Sequence, residues 1–296
     1  MRMRPSLPSR APFPIAAALP GQDGESHRAR WREAKAMATA QNKRPRISSG
    51  VEKRPSRKEI LGRKKAVEEC IKRAVAVKDH LEQFPAFHKY QKNGLSVYLE
   101  SGRGDQLTLP MRKYIQNLLK VNMEKPYGPE WPSEEKIKRR EMVAPEARYI
   151  LAKQYSNGFI PENPMKQDAE AEHMHAACTE SCLLGFVHYR FVVEEELPVV
   201  YVYELQMEPS AQGKGLGNFM MRLVEQVACK NQMGAVMLTV QKANTLAMDF
   251  YTKLRYVISS TSPSRVDPQI GLEKSYEILC KTFDSEAKSK LEDGAY

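Results

Sequence analysis

The stretch LQMEPSAQGKGLGNFMMRLVEQV, residues 205–227, sets Gly213, Gly215 and Gly217 between an apolar run and an amphipathic segment of helical period. A turn that opens a helix leaves its first backbone N–H groups without partners, and their dipoles sum to partial positive charge. An anion is stabilised there. Glycine lets the backbone approach a phosphate closely and adopt positive φ. Two better-known phosphate turns fail on spacing. A Rossmann turn needs G-x-G-x-x-G and a later acidic residue, and a P-loop needs G-x-x-x-x-G-K-[ST]. Gly213, Lys214, Gly215, Leu216, Gly217 and Asn218 are therefore the candidate anion cradle.

The residues just before carry the second candidate chemistry. Glu204 ends the apolar run Val199–Tyr203, so it is expected to be partly buried. A buried carboxylate is costly unless it is paired or used. It is either a general base whose pKa desolvation raises, or the partner of a nearby cation. Tyr201 and Tyr203 alternate, which puts their rings on one sheet face and Glu204 on the other. A β-bulge at that point would bring Glu204 to the tyrosine side.

These residues need elements to hold them. Ser56 and Glu59 have capping-box spacing, and Ile60, Val67, Ile71, Ala74, Val75 and Leu81 recur with helical period up to Pro85. A turn and strand follow at 93–102, then a helix over 109–123. A Pro-rich loop around Trp131 leads into a charged helix capped by Ser133. Strands are expected at 147–155, 183–194 and 198–208. Beyond the glycines come a helix (217–230), a strand (235–240), a helix (244–254), a strand-like 256–260 and a final strand (275–283). The tail after Asp284 reads as frayed. The order implies one α/β domain with both hairpin and crossover connections.

The totals bound the class. No run of 18 apolar residues exists, so no membrane-spanning helix is expected. Five scattered cysteines, at 70, 178, 182, 229 and 280, suggest a reducing compartment. Residues 1–73 hold 19 Lys and Arg against 7 Asp and Glu, a net of +12, while the remaining 223 residues net −2. Basicity thus belongs to the N-terminal segment. Residues 1–55 read as a disordered basic extension, or over 1–36 as an organellar transit peptide. The clusters Lys43–Arg46, Lys53–Lys58 and Arg63–Lys65 resemble a bipartite nuclear-import signal. Only Phe13 and Trp31 are aromatic in that segment, which argues against a nucleic-acid-reading module. The polar loop 156–182 carries His173, His175, Cys178 and Cys182, in a spacing that matches no standard zinc pattern.

The Gln212-x-x-Gly215-x-Gly217 turn after a strand resembles the acetyl-coenzyme A loop of the GNAT acetyltransferase superfamily. Asn244, Ala247, Phe250 and Tyr251 resemble that superfamily's N-x-x-A-x-x-F-Y helix. The segments FHKYQKNGLSVYLES, REMVAPEARYILA, HYRFVVE, YVYELQME, GKGLG, VMLTVQKAN and SYEIL are similar to NatD-type N-terminal α-acetyltransferases, which act on histone H4 and histone 2A. The resemblance covers about residues 84–283. It implies a GNAT fold, with a mixed twisted sheet of about seven strands flanked by helices and an additional N-terminal helix at 56–83. It implies acetyl-coenzyme A as co-substrate and no metal. Leu205, Gln206 and Met207 would bind the pantetheine arm through their backbone, Gly213–Asn218 the pyrophosphate, and Asn244 the coenzyme arm. Glu204 would be the base, Tyr203 would hold the substrate amine, and Tyr251 would protonate the leaving thiolate. Tyr127, Glu194, Tyr203, Thr239, Thr261 and Tyr276 would bind the histone peptide. A monomer in nucleus and cytoplasm, without membrane or direct nucleic-acid specificity, is implied. One departure stands out: Arg190-Phe191 is followed by Val192, where the family carries an acidic residue. Glu194, Glu195 and Glu196 are expected to replace that charge beside the peptide. The alternative reading is a GNAT enzyme acting on a lysine side chain or a small amine.

Overall fold

The computed structural model describes residues 56–154 and 183–294. The proposed basic extension, import signal and inserted loop lie outside these residues, apart from the Ser56–Lys65 end of the basic run. Helix α1 (Arg57–Ala76) starts on the expected capping box: Ser56 N donates to Glu59 Oε2 at 2.6 Å, and Glu59 N donates to Ser56 Oγ. It ends at Ala76, well short of Pro85. Arg148, a buried guanidinium, donates to the carbonyl of Val75 in the last turn and to those of Val77 and Lys78 just beyond it, and so anchors the chain where it leaves the helix.

Strands β1 (Lys89–Lys92) and β2 (Leu95–Arg103) form a hairpin on Asn93-Gly94. Both turn residues have positive φ, the conformation that an Asn-Gly pair favours. Helix α2 (Leu109–Tyr127) is capped by Thr108 and runs one turn beyond the expected 123. Helix α3 (Trp131–Glu141) begins at Trp131 itself. Ser133 is inside it and donates to Glu130 O instead of capping it. Strands β3 (Arg148–Gln154), β4 (Leu183–Glu194) and β5 (Leu197–Met207) lead to helix α4 (Leu216–Lys230) and strand β6 (Ala235–Gln241). Helix α5 (Thr245–Lys253), strand β7 (Val257–Ile258), short helices α6 (Pro263–Val266) and α7 (Pro268–Glu273), and strand β8 (Tyr276–Thr282) complete the sheet.

The described residues form one eight-stranded sheet, ordered β1-β2-β3-β4-β5-β6-β8-β7. All pairings are antiparallel except β5 with β6, which the α4 crossover joins in parallel. The expectation of about seven strands missed β1, a four-residue edge strand with one buried side chain. One face of the sheet packs on α1, α4 and α5 through Val187, Tyr189, Val200, Val202, Met220 and Leu223. The other packs on α2 and α3 through Tyr149, Phe186, Ile115 and Trp131.

Residues 285–294 of the tail are ordered, contrary to expectation. Asp284 caps helix α8 (Ser285–Lys288), and Ala287 and Leu291 are fully buried against Val199, Met237 and Cys280. Two apolar side chains in a charged segment suffice because the hydroxyl loop Ser259-Ser260 also bonds Leu291 O.

His80 locks the end of α1 to the sheet. Its Nε2 bonds Ala74 O, its Nδ1 meets Asn231 Nδ2 and its ring lies 5.0 Å from Phe191. Burial, and then the charge of Arg148, push its pKa from 6.5 down to about 4. The unfolded chain therefore takes up this proton near pH 6.5 while the folded chain does not. His80's contribution to stability is complete above about pH 6.5 and is lost as pH falls toward 4. Thermal melts between pH 7.5 and 4.5 should show this fall, and His80→Gln should flatten it; parallel curves would remove His80 as the cause.

Candidate active site

Two backbone irregularities make the site. The first is in the β4–β5 ladder, where His188 faces Glu204 but Tyr189 faces Val202. Tyr203 is the extra residue of a β-bulge. The bulge resets the alternation, so Glu204 follows Tyr201 and Tyr203 onto the α2–α3 face. The second lies between β5 and β6. They pair from Val199↔Ala235 to Val202↔Leu238 and no further, while β5 stays with β4 to Met207 and β6 with β8 to Gln241. From Tyr203 and Thr239 onward the two strands separate. The β6-facing edge of 203–207 is thereby released from the ladder and open to an extended ligand.

Glu204 meets a lysine that the sequence did not single out. Lys138 of α3 forms a buried ion pair with Glu204 Oε1, both side chains being under 10% exposed. Gln206 Nε2 donates to Glu204 Oε2 at 2.9 Å, and Asn122 Nδ2 of α2 donates to Gln206 Oε1 at 2.9 Å. Of the two readings of Glu204, cation pairing is thus realised, and the general-base reading has to operate with Lys138 present. Burial alone would push the Lys138 ammonium down. The Glu204 carboxylate, with Tyr127 and Glu141, outweighs it and holds the pKa well above the lysine range. Nothing in EEKIKRRE marked this lysine, because one charge in a charged helix looks solvated until its face is known.

Aromatic rings surround the pair. The Tyr127 ring lies 5.3 Å from Lys138 Nζ. Tyr149 and Tyr203 stack on either side of His188, at 5.0 and 4.9 Å. The Arg190 guanidinium lies 4.3 Å over Tyr203 and donates from Nε to His188 Nε2. Arginine has no acceptor, so that imidazole nitrogen carries no proton. Burial, Arg190 and Lys138 agree, holding the His188 pKa well below its usual value. Tyr251 is buried, and burial together with the Glu204 charge raises its pKa, so its hydroxyl keeps its proton near neutrality.

The other expected site residues are placed unevenly. Thr239 Oγ1 and the Tyr201 hydroxyl are 2.5 Å apart on the same face, and Tyr276 faces Gln241 across β6–β8. Thr261 is buried in the loop after β7, with its hydroxyl on Ser259 Oγ. Asn244 caps α5 through Oδ1, leaving its amide N–H group as the end suited to a coenzyme. Met207 O already accepts from Asn122 and Gln212, which fills both lone pairs and removes it from the expected pantetheine contacts. Glu195 and Glu196 do not lie beside the slot. They form the β4–β5 turn with φ of 47° and 61°. Glu194 shares a face with Arg190, but four residues of strand put it about 13 Å away. Trp131 Nε1 and Gln241 Oε1 are buried polar atoms with no hydrogen-bond partner among the described residues.

The glycine turn is held from an unexpected side. Tyr90 of β1 donates its hydroxyl to Lys214 O at 2.5 Å, and Asn93 Nδ2 donates to the same oxygen at 2.9 Å. With that carbonyl turned outward, the turn enters α4, whose first intrahelical bond is Phe219 N to Gly215 O. The preceding N–H groups form the anion-binding end. Gly213 and Gly215 have φ of 68° and 86°. A Cβ on Gly215 would also lie 2.8 Å from the Tyr90 hydroxyl. Gly217 differs: its nearest neighbour, Phe250 Cζ, would be 3.4 Å from a Cβ, an ordinary contact. Among the described residues no group of three metal-ligating side chains occurs.

Residues 123–256 match the model of the acetyltransferase (GNAT) family. A mycothiol acetyltransferase from Nocardia farcinica is 33% identical over 85 residues, 29% of this chain and 26% of that protein. The chain thus matches about a quarter of that relative's length. Among solved structures, a PaiA N-acetyltransferase from Thermoplasma acidophilum, in complex with coenzyme A, is 14% identical. It aligns with 62% of this chain and 99% of its own, with a TM-score of 0.41. The NatC complex bound to Gag peptide and coenzyme A is 11% identical, covering 63% and 99%, with a TM-score of 0.38.

The turn geometry separates its glycines. Gly215→Ala should weaken coenzyme A binding about 10-fold or more, since it strains a left-handed residue and displaces Tyr90. Gly217→Ala should bind within a few-fold of the parent. Equal affinities for both variants in a calorimetric titration would refute this placement of the pyrophosphate.

Proposed function

We propose that this chain, whose residues 123–256 match the model of the acetyltransferase (GNAT) family, transfers acetyl from acetyl-coenzyme A to the α-amine of an N-terminal serine. The proposed substrates are polypeptides that begin Ser-Gly-Arg-Gly, as histone H4 and histone 2A do. The observation that carries the chemistry is the bulge at Tyr203. It sets a carboxylate, Glu204, among tyrosines at the point where β5 leaves β6. The NatD-type sequence pattern, with Tyr127, Tyr203, Thr239 and Tyr276 on or over that face, supports the choice of a peptide terminus.

The coenzyme's pyrophosphate occupies the Gly213–Asn218 turn, and its pantetheine arm extends along the free edge of β5. The thioester then lies at the splay. The substrate ammonium gives a proton to Glu204, directly or through water, and the neutral nitrogen attacks the thioester carbonyl. Lys138 and Gln206 hold the carboxylate in place for this. Backbone N–H groups at the splay stabilise the tetrahedral oxyanion. Collapse expels the thiolate, which takes the proton of Tyr251, and the attacking nitrogen gives up its second proton, which restores the Tyr251 hydroxyl through solvent. The raised pKa of Tyr251 keeps that proton available. The peptide's arginine, at its third position, is drawn by Glu194 from the turn end of β4. The basic run before residue 73 directs the protein to the nucleus as well as the cytoplasm, and the enzyme acts as a monomer.

A second reading takes a lysine side chain or a small-molecule amine as acceptor, and the mycothiol acetyltransferase match favours the small amine. Mass spectrometry separates the two. A Ser-Gly-Arg-Gly peptide with a free N-terminus should gain one acetyl group on the serine nitrogen. A lysine-containing peptide with a blocked N-terminus and a simple amine should gain none; turnover of either in preference selects the second reading. Glu204→Gln should retain coenzyme binding and slow transfer by about 10²–10⁴-fold. Turnover unchanged across a pH series around neutrality would remove Glu204 from the reaction.

A further inference from the structure

Gln241 ends β6 on the side where β5 has already diverged. It is 3% exposed, and its Oε1 has no hydrogen-bond partner among the described residues. A buried carbonyl without a donor is destabilising, and such groups are rare unless something outside the chain supplies the donor. The surroundings indicate which donor. Thr239, two residues earlier in β6, shares its face. Tyr276 is directly opposite in the antiparallel ladder. The Gln241 side chain also neighbours the Tyr127 hydroxyl. Three residues assigned above to the substrate therefore enclose one unused acceptor.

We propose that Gln241 is a specificity-determining residue, whose Oε1 accepts a hydrogen bond from the first backbone amide N–H of a peptide substrate. This rests on the N-terminal acetyltransferase reading and sharpens it. In a peptide terminus that N–H is three bonds from the reacting α-nitrogen. From a lysine ε-nitrogen the nearest backbone N–H is six bonds away, and a simple monoamine has none. An acceptor beside the splay thus rewards α-amines and leaves its carbonyl unpaired with the others. Sequence reading passed over Gln241 because a polar residue at a strand end looks like the start of a loop.

The test pairs Ser-Gly-Arg-Gly with the same peptide N-methylated at the Ser-Gly amide, on the wild type and on Gln241→Met. N-methylation should lower kcat/KM of the wild type about 10- to 100-fold, the range for denying a buried acceptor its donor. On Gln241→Met the same methyl should cost less than about 3-fold, and the melting temperature should be unchanged or higher because the unpaired acceptor is gone. Equal losses on both enzymes, or no loss on the wild type, overturn the proposal. The wild-type comparison needs no variant, and Gln241→Leu replaces Gln241→Met if the latter does not fold. A wild type that acetylates only small amines refutes the functional reading itself. Acetylation of the α-amine with equal losses refutes Gln241 alone.

Discussion

One extra residue in β5 governs this site. A regular strand would point Tyr201 and Tyr203 to one side and Glu204 to the other, into the α1–α4 core. The bulge at Tyr203 breaks that alternation. It places the carboxylate opposite His188, within reach of α3, and coincides with the last paired position of β5 with β6. The same distortion therefore positions the chemistry and opens the edge along which a ligand can bind. Most of the remaining structure braces that point, with β4 and β3 below it, α2 and α3 over it, and the β1–β2 hairpin holding the glycine turn.

The bracing is electrostatic as well as steric. A buried Lys–Glu pair loses much of its Coulomb attraction to desolvation, and apolar replacements are often as stable. What the Lys138–Glu204 pair supplies is position. Lys138 and Gln206 fix one oxygen each, and Asn122 fixes Gln206. His188, locked neutral between two tyrosines by Arg190, adds no competing charge to the Glu204 neighbourhood. The carboxylate is thus held by one group on α3 and one on the sheet, the second fixed in turn by α2.

The glycine turn shows the same division of labour. Tyr90 and Asn93 hold Lys214 O on the β1 side, which fixes the peptide plane at the middle of the turn. Gly213 and Gly215 supply positive φ, whereas Gly217 supplies only closeness to Phe250 and Leu205. Three glycines that look alike in sequence thus carry two different requirements.

Local chemistry was enough to read the capping box of Ser56 and Glu59, the Asn93-Gly94 turn, the alternating β4 and β5 and the glycine turn before an amphipathic helix. Each is set within a few residues by dihedral preference, capping or period. Tertiary structure decided the rest. Lys138 reaches Glu204 across 66 positions, Tyr90 reaches Lys214 across 124, and Arg148 reaches the chain leaving α1 across about 70. Such partners leave no periodic trace, because each contact depends on a single side chain at the correct depth. The bulge could be conceived from the order of residues, but its existence depends on how β4 and β5 pair. Glu204 therefore read as either base or ion-pair partner until the packing of α3 supplied Lys138.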